Sequence, residues 1–274
     1  WEVLIPGRSY FSYAHLELLQ MLEYLLQHGM SLARGRQENV DMGDPDQYKT
    51  FDAFYQALMQ LVDNQVERIL RNKVEYYHNR YKIAPSPLLS SMMHDCVEKG
   101  MDLSLDGCKY NLYSFIVTGI ANFTDSMLAI KRLVFEENRL TLGRVAELCR
   151  TNFAGEEALR QEIINKIPKV GNDNEEVDEL MVKILNDCYD CVMRKQQEGK
   201  AGALKLCCGI GTFENYARFG HNVGATPDGR LSQETISSNY SPAIGLDLNG
   251  PTAAIKTATK AELYKFVTGC PLDM

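Results

Sequence analysis

Eight cysteines and five histidines are spread along the chain, and their local context decides what chemistry each could support. Asp95-Cys96-Val97-Glu98 sets a thiol two residues from a carboxylate. That spacing points both groups at one substrate on an extended backbone, but positions two apart diverge on a helix. The stretch reads as helical, so Cys96 is expected to be structural. Cys188 and Cys191 have C-x-x-C spacing, yet they fall inside an apparent helix with no second pair and no nearby histidine, which argues against zinc or redox work. Cys207 and Cys208 sit in a short apolar run and read as buried strand thiols. Gly209 and Gly211 lack the third glycine of a dinucleotide fingerprint. His15, His28 and His94 fall in stretches read as helical, and His221 falls in a loop tract. Each is expected to be a surface or a satisfied buried histidine. Glu2, taken alone, is an exposed terminal glutamate.

The elements that must position these groups follow from patterning. Apolar residues from Ala14 to His28 mark a helix that ends near Gly29. Phe51 to Tyr81 is the clearest helix, with Phe54, Leu58, Leu61, Val62, Val66, Ile69, Leu70 and Val74 at three-four spacing. Pro85 and Pro87 break the chain before a helix expected from Leu88 to Lys99. Gly107 to Val117 reads as a strand, Ile120 to Glu137 as a helix, and Thr141 as the N-cap of the next. Further helices are expected from Glu156 to Ile167 and from Gly171-Asn172-Asp173-Asn174 on to Gln197, then a buried strand over Ala203–Ile210. Residues 1–12 look extended. Gly220 to Lys260, dense in Gly, Pro, Asn and Asp, reads as one long loop, and loops of that length are usually working ones. Helices dominate, with a few short buried strands among them, which is α/β patterning.

Bulk properties narrow the function classes. A chain of 274 residues, 45% apolar and 24% charged, buries a sizeable core as one large domain or two small ones. The net charge of −7 and the lack of any basic run argue against nucleic acid and anionic membrane as partners. No run of about 18 apolar residues predicts a membrane span. The opening Trp-Glu-Val-Leu-Ile-Pro has no basic region typical of a signal peptide. Irregularly spaced cysteines in so long a chain are expected to be reduced, which fits a cytoplasmic protein.

Several motifs, in register along nearly the whole chain, resemble the glycyl radical enzymes, the family of pyruvate formate-lyase. They are DCVEKGMDLSLDGCKYN (Asp95–Asn111), GIANFTDSMLAIKRLVFEE (Gly119–Glu137), Gly171-Asn172-Asp173, VGATPDGR (Val223–Arg230), Ser241-Pro242 and NGPTAAIKT (Asn249–Thr257). The resemblance implies a helix-rich second half of a ten-stranded α/β barrel. Residues 1–274 would then be the C-terminal part of the pyruvate formate-lyase-type domain.

It also implies a chemistry. A backbone glycyl radical stores the oxidising equivalent, a cysteine turns it into a thiyl radical, and the thiyl takes a hydrogen atom from substrate. In most members a glutamate two residues after that cysteine is the acid or base. Trp1-Glu2 followed by Pro6-Gly7-Arg8-Ser9 resembles the residues after the cysteine, so the resemblance makes Glu2 the acid/base carboxylate and places the cysteine just before Trp1. The family's own DC-hydrophobic-E segment lies downstream of its active-site loop, again leaving Cys96 outside the chemistry. The radical glycine is expected beyond Met274, so this stretch alone should be inert. His15 and His28, just behind the active-site loop, keep the better claim among the histidines. No metal or organic cofactor is implied in this chain. The implied partner is a radical S-adenosylmethionine activating enzyme, and a homodimer is common in the family. Where diol-dehydratase-like members are expected to carry an acid, this chain has Ala14. Where they carry Asp-Gly before Ser-Pro, it has Ser238-Asn239-Tyr240. Both departures tilt the expectation toward an arylacetate decarboxylase-like member, against a dehydratase, a carbon–nitrogen or carbon–sulfur lyase, and a non-catalytic subunit.

Overall fold

A computed structural model describes residues 9–273; Glu2 lies outside the described residues. The chain begins with strand β1 (Ser9–Glu17), which runs directly into helix α1 (Leu18–Leu26). A small hairpin of β2 (Met30–Ser31) and β3 (Arg36–Gln37) leads to the long helix α2 (Phe51–Ile83). Thr50 caps α2 by accepting from the Ala53 amide at 3.1 Å, and its apolar stripe lies where the three-four spacing places it. Two short helices follow, α3 (Pro87–Ser91) and α4 (Cys96–Lys99), before strand β4 (Tyr110–Thr118). Helix α5 (Ile120–Ile130) continues as a π-turn over Lys131–Glu136. Helices α6 (Leu142–Arg150), α7 (Glu157–Lys166) and α8 (Glu175–Gln197) come next, then strand β5 (Lys205–Ile210). Thr141 caps α6 as expected, and Asn174 caps α8. Helices α9 (Tyr216–His221) and α10 (Gly250–Thr259) complete the order.

The three long strands form a parallel sheet in the order β1-β4-β5. Parallel strands need long crossovers, and here helices supply both. β1 pairs with β4 over nine rungs, from Ser9 opposite Tyr110 to Glu17 opposite Thr118, and β4 pairs with β5 over six. Alternation along each strand gives the sheet two faces. Leu16, Phe115, Val117, Cys208 and Ile210 belong to the main apolar core, which α1, α2, α5 and α8 build against that face. Phe11, Tyr13, His15 and Glu17 take the other face, beside Ser114, Ile116, Cys207 and Gly209 of β4 and β5. The chain is therefore α/β and helix-rich, as its patterning predicts.

Three expectations need correction. Residues 14–17, read as the start of a helix, are strand, because nine rungs of parallel pairing outweigh local propensity. The helix expected from Leu88 to Lys99 is broken at Asp95, whose φ is 73°. Asp102 pulls this stretch into a compact knot by accepting from the Ser86 amide, the Ser90 hydroxyl and the Ser104 amide at 2.8–2.9 Å. The tract after Gly220 is not all loop, since α10 forms within it. Pro251 starts that helix, and the small residues Ala253, Ala254, Thr257 and Ala258 bury one face, a stripe too weakly apolar to read as periodic.

Candidate functional site

Among the described residues, two gatherings of polar side chains lie at the motifs and at the open sheet face. The first surrounds VGATPDGR, whose residues 223–230 are all buried. Asp228 is its hub. Asn122 of α5 donates to Oδ2 at 2.7 Å, the Thr226 hydroxyl donates to Oδ1, and the Asp228 amide donates to the Ser126 hydroxyl at 3.3 Å. Asn122 in turn accepts from the Ser237 amide at 2.7 Å. Arg230 donates to the carbonyls of Leu231 at 2.9 Å and Glu234 at 2.7 Å, and to that of Gly224. Glu23 of α1 accepts from the amides of Gly224 at 2.6 Å and Leu32 at 3.0 Å. Gly229 has φ 96°, and a Cβ there would stand 2.8 Å from Ile164, so only glycine lets the turn lie against α7.

Behind this loop Asp125 is fully buried, and its Oδ1 accepts from the Val170 amide at 2.8 Å. Burial raises its pKa to about 8, with Lys169 opposing and Asp228 reinforcing. Burial likewise raises Glu23 to about 7, against the two amides it accepts from. The loop expected to work ties α1, α5 and α7 together, and its Asp228, Gly229 and Arg230 line a cavity with Asn122, Arg160 and Ile164.

The second place is the open sheet face. Phe11, Tyr13, His15 and Glu17 line it in sequence along β1. Tyr13 is 48% exposed. His15 sits edge-on to Phe219 at 4.8 Å and to Tyr13 at 5.4 Å between ring centroids, with Phe213 at 6.1 Å. Its Nδ1 is buried without a hydrogen-bond partner. Burial, then the charge of Arg218, lowers its pKa, so the ring is neutral at pH 7. Glu17 accepts from Gln20 Nε2 at 2.7 Å. Burial raises its carboxyl to about 7, against the charges of Arg34 and Arg218. A carboxyl poised there can give or take a proton near neutral pH.

The far end of this face is covered by the C-terminal stretch. The Thr268 and Ser114 hydroxyls are 2.7 Å apart, and the Ile210 amide donates to Gly269 at 2.9 Å. Asn239 accepts from the amides of Thr212 at 2.9 Å and Phe213 at 3.0 Å. Ser238-Asn239-Tyr240, read in the sequence as a catalytic departure, therefore braces the end of β5.

The remaining sequence candidates fall into place around these two. His15 lies in a strand, not a helix. His28 follows α1 with φ 55° and meets Asp41 at 3.1 Å on the surface. His94 lies in the turn between α3 and α4, and His221 closes α9. Cys96 is buried with its sulfur 3.7 Å from that of Cys108. Cys207 and Cys208 are buried strand thiols, raised by burial. Among the described residues, no group of three or more His, Cys, Asp or Glu is placed to hold a metal ion, and no helix is long and apolar enough to cross a membrane. Glu17 was missed in the sequence. Its signal was the alternation Phe11-Tyr13-His15-Glu17, masked by the leucine-rich run that starts at Leu16.

Comparison with known proteins agrees with this architecture. The family described as pyruvate formate lyase-like matches residues 1–220, and the chain belongs to it, among the glycyl radical enzymes. Trans-4-hydroxy-L-proline dehydratase of Clostridioides difficile is 30% identical over 261 residues, covering 94% of this chain and 32% of that protein. Indoleacetate decarboxylase of Tractidigestivibacter scatoligenes is 30% identical over 230 residues, covering 74% of this chain and 26% of its own length. The crystal structure of the hydroxyproline dehydratase from Clostridioides difficile, with trans-4-hydroxy-L-proline bound, superposes with a TM-score of 0.88 at 29% identity. It covers 97% of this chain and 33% of that one. The chain thus spans about a third of the length of the relatives it matches.

Proposed function

We propose that the chain is part of a glycyl radical lyase that uses a thiyl radical to eliminate a leaving group from a small hydroxylated substrate. The observation that carries this reading is the open face of β1, which presents a neutral histidine and a carboxyl poised near neutrality, Glu17. Glu2 precedes that strand in the sequence. Elimination needs one group to take a proton from the substrate and another to supply one to the leaving group. Glu2 serves as the base in this reading. Ala14 gave the sequence argument against elimination, yet it packs against the helix core, while Glu17 supplies an acid on the strand's other face. The similarity to a dehydratase over 94% of the chain supports the same reading. The radical glycine and thiyl cysteine, and a radical S-adenosylmethionine activating enzyme as partner, belong to the same proposal.

Arylacetate decarboxylation is the second reading. Phe11, Tyr13, Phe213 and Phe219 gather around His15, a wall suited to an aromatic ring, and the similarity to indoleacetate decarboxylase favours it. The test is the full-length enzyme, activated anaerobically and offered vicinal diols, hydroxylated amino acids and arylacetates. Water elimination without release of carbon dioxide supports the first reading. Carbon dioxide from arylacetates alone overturns it in favour of the second.

A further inference from the structure

Cys96 opens α4, and Cys108 lies just before β4. Their sulfurs are 3.7 Å apart, and both residues are buried. With Leu103, and with Met93 packed against them, they form a small apolar cluster of their own beside the main core. A glycine allows the approach: a Cβ at Gly107 would stand 2.8 Å from the Cys96 sulfur and 2.3 Å from the Met101 carbonyl oxygen. The backbone between the two cysteines doubles back through left-handed turns at Gly100 and Asp106, with φ of 62° and 65°. Polar contacts hold that fold-back in place. Asp102 gathers Ser86, Ser90 and Ser104, and Lys99 Nζ donates to the carbonyls of Asp106 at 3.3 Å and Gly107 at 3.2 Å. Asp106 accepts from the Tyr77 hydroxyl at 3.1 Å and from Asn111 Nδ2 at 2.7 Å. Cys207 and Cys208, by contrast, are adjacent on β5 and so take opposite faces of the sheet.

We propose that Cys96 and Cys108 form a reversible thiol–disulfide site, closed by exchange with low-molecular-weight disulfides and reopened by low-molecular-weight thiols. In the first exchange the Cys96 thiolate attacks one sulfur of a small disulfide, RSSR. A bond forms between Cys96 and that sulfur, and the RS–SR bond breaks. The departing thiolate takes the proton given up by Cys96 and leaves as RSH. The Cys108 thiolate then attacks the Cys96 sulfur, and the bond from Cys96 to SR breaks with both electrons going to RS. That second thiolate takes the Cys108 proton. Two protein thiols have then lost two electrons, and one RSSR has become two RSH. The sulfurs must close from 3.7 Å to about 2.05 Å. α4 has only four residues, and its apolar cover here is Leu103 and Met93, so it opens locally at little cost and admits the reagent. Burial raises both thiols, Cys108 to about 12, so the closed knot keeps them protonated and slow to react. An oxidising thiol poise thus pins α4 to the start of β4, whichever reaction the enzyme performs.

The test uses the full-length enzyme before its radical is installed, equilibrated without oxygen in glutathione redox buffers, then quenched in acid and alkylated. Trypsin cuts after Lys82, Lys99 and Lys109, so the closed site appears as peptides 83–99 and 100–109 joined, lighter than their sum by the hydrogens lost. The joined pair is expected to form while Cys188, Cys207 and Cys208 are still alkylated, and added dithiothreitol should separate it. Closure should be favoured at least about tenfold more in the folded chain than in the same chain unfolded in urea. Amide hydrogen exchange over residues 96–108 should slow in the oxidised wild type and not in Cys108→Ser, where Cys96 can reach only the mixed disulfide with glutathione. A folded-to-unfolded advantage below about twofold overturns the inference. So do mixed disulfides that persist at Cys96 or Cys108 in the wild type, pairing of either with another cysteine, or a crosslink that leaves exchange over 96–108 unchanged.

Discussion

Asp125 and Glu17 are both carboxyls raised by burial, to about 8 and about 7, yet they lie on opposite sides of the sheet and differ in access. Asp125 is enclosed on the helix side, its carboxylate tied to the Val170 amide and faced by the buried Lys169. Its proton can be felt only as stability. Glu17 stands at the edge of the open side among groups that solvent or a small molecule can reach. One sequence thus makes two similar perturbations for different ends, and the difference lies in the walls around them. The helix side is filled by Leu16, Phe115, Val117 and the helices that cover them, whereas the open side carries rings and polar groups still partly uncovered.

The contrast can be broken most sharply at Phe115, which is 0% exposed and central to the helix side. Phe115→Ala is expected to cost about 4 kcal/mol, read from chemical unfolding of the full chain. A cost below about 1 kcal/mol would mean that the helix side is not the tightly packed one.

Asp125 comes next. Unfolded, an aspartate ionises near pH 4, while the folded group holds its proton to about 8. Between those values the folded state binds more protons than the unfolded, so stability falls as pH rises, by up to about 1.4 kcal/mol per pH unit for this group. Glu23 and Glu17, raised for the same cause, add to the slope below about pH 7. Asp125→Asn should flatten the decline by about 3 kcal/mol between about pH 5 and 7, as measured by denaturant midpoints. An unchanged slope would mean that Asp125 is ionised in the fold.

Gly209 tests the covered end of the open face. A Cβ there would lie 2.3 Å from the Thr268 hydroxyl and 3.0 Å from Ile116. Gly209→Ala should therefore cost about 2 kcal/mol. If Thr268→Ala in the same chain leaves that cost unchanged, the close approach of the C-terminal stretch is not its source.

How much of this was legible beforehand depends on what kind of signal each element left. The long helix α2 announces itself through apolar spacing, because many residues repeat one pattern, and α8 through the turn-rich Gly171-Asn172-Asp173-Asn174 that opens it. β1 was hidden because its partner β4 lies about a hundred residues away, and only that pairing makes Tyr13, His15 and Glu17 a strip. α10 was hidden because alanine and threonine bury a face without looking apolar. The motifs pointed to the family, but they could not tell which of them is a brace. Val223 to Arg230 carries two glycines, a proline and an Asp-Gly turn, the composition of a working loop, and only its burial against Asn122, Glu23 and Ile164 shows that it also ties helices together.

The smallest expected effect is at Tyr13, and it separates packing from function most cleanly. At 48% exposure, with its ring against Phe11, His15 and Phe213, Tyr13 contributes little to the fold. Tyr13→Ala should cost less than about 0.5 kcal/mol. Yet the ring stands edge-on to His15, on the strip that also carries Glu17. Its removal should let water in and move the Glu17 titration down toward the ordinary carboxylate range, in the same variant whose unfolding midpoint barely shifts. The protonated-carboxyl infrared band assigned by Glu17→Gln gives that titration directly. A large loss of stability would show that the open face is as structural as the helix side. An unmoved titration would assign the raised carboxyl to α1 and the β2–β3 turn instead of the aromatic wall.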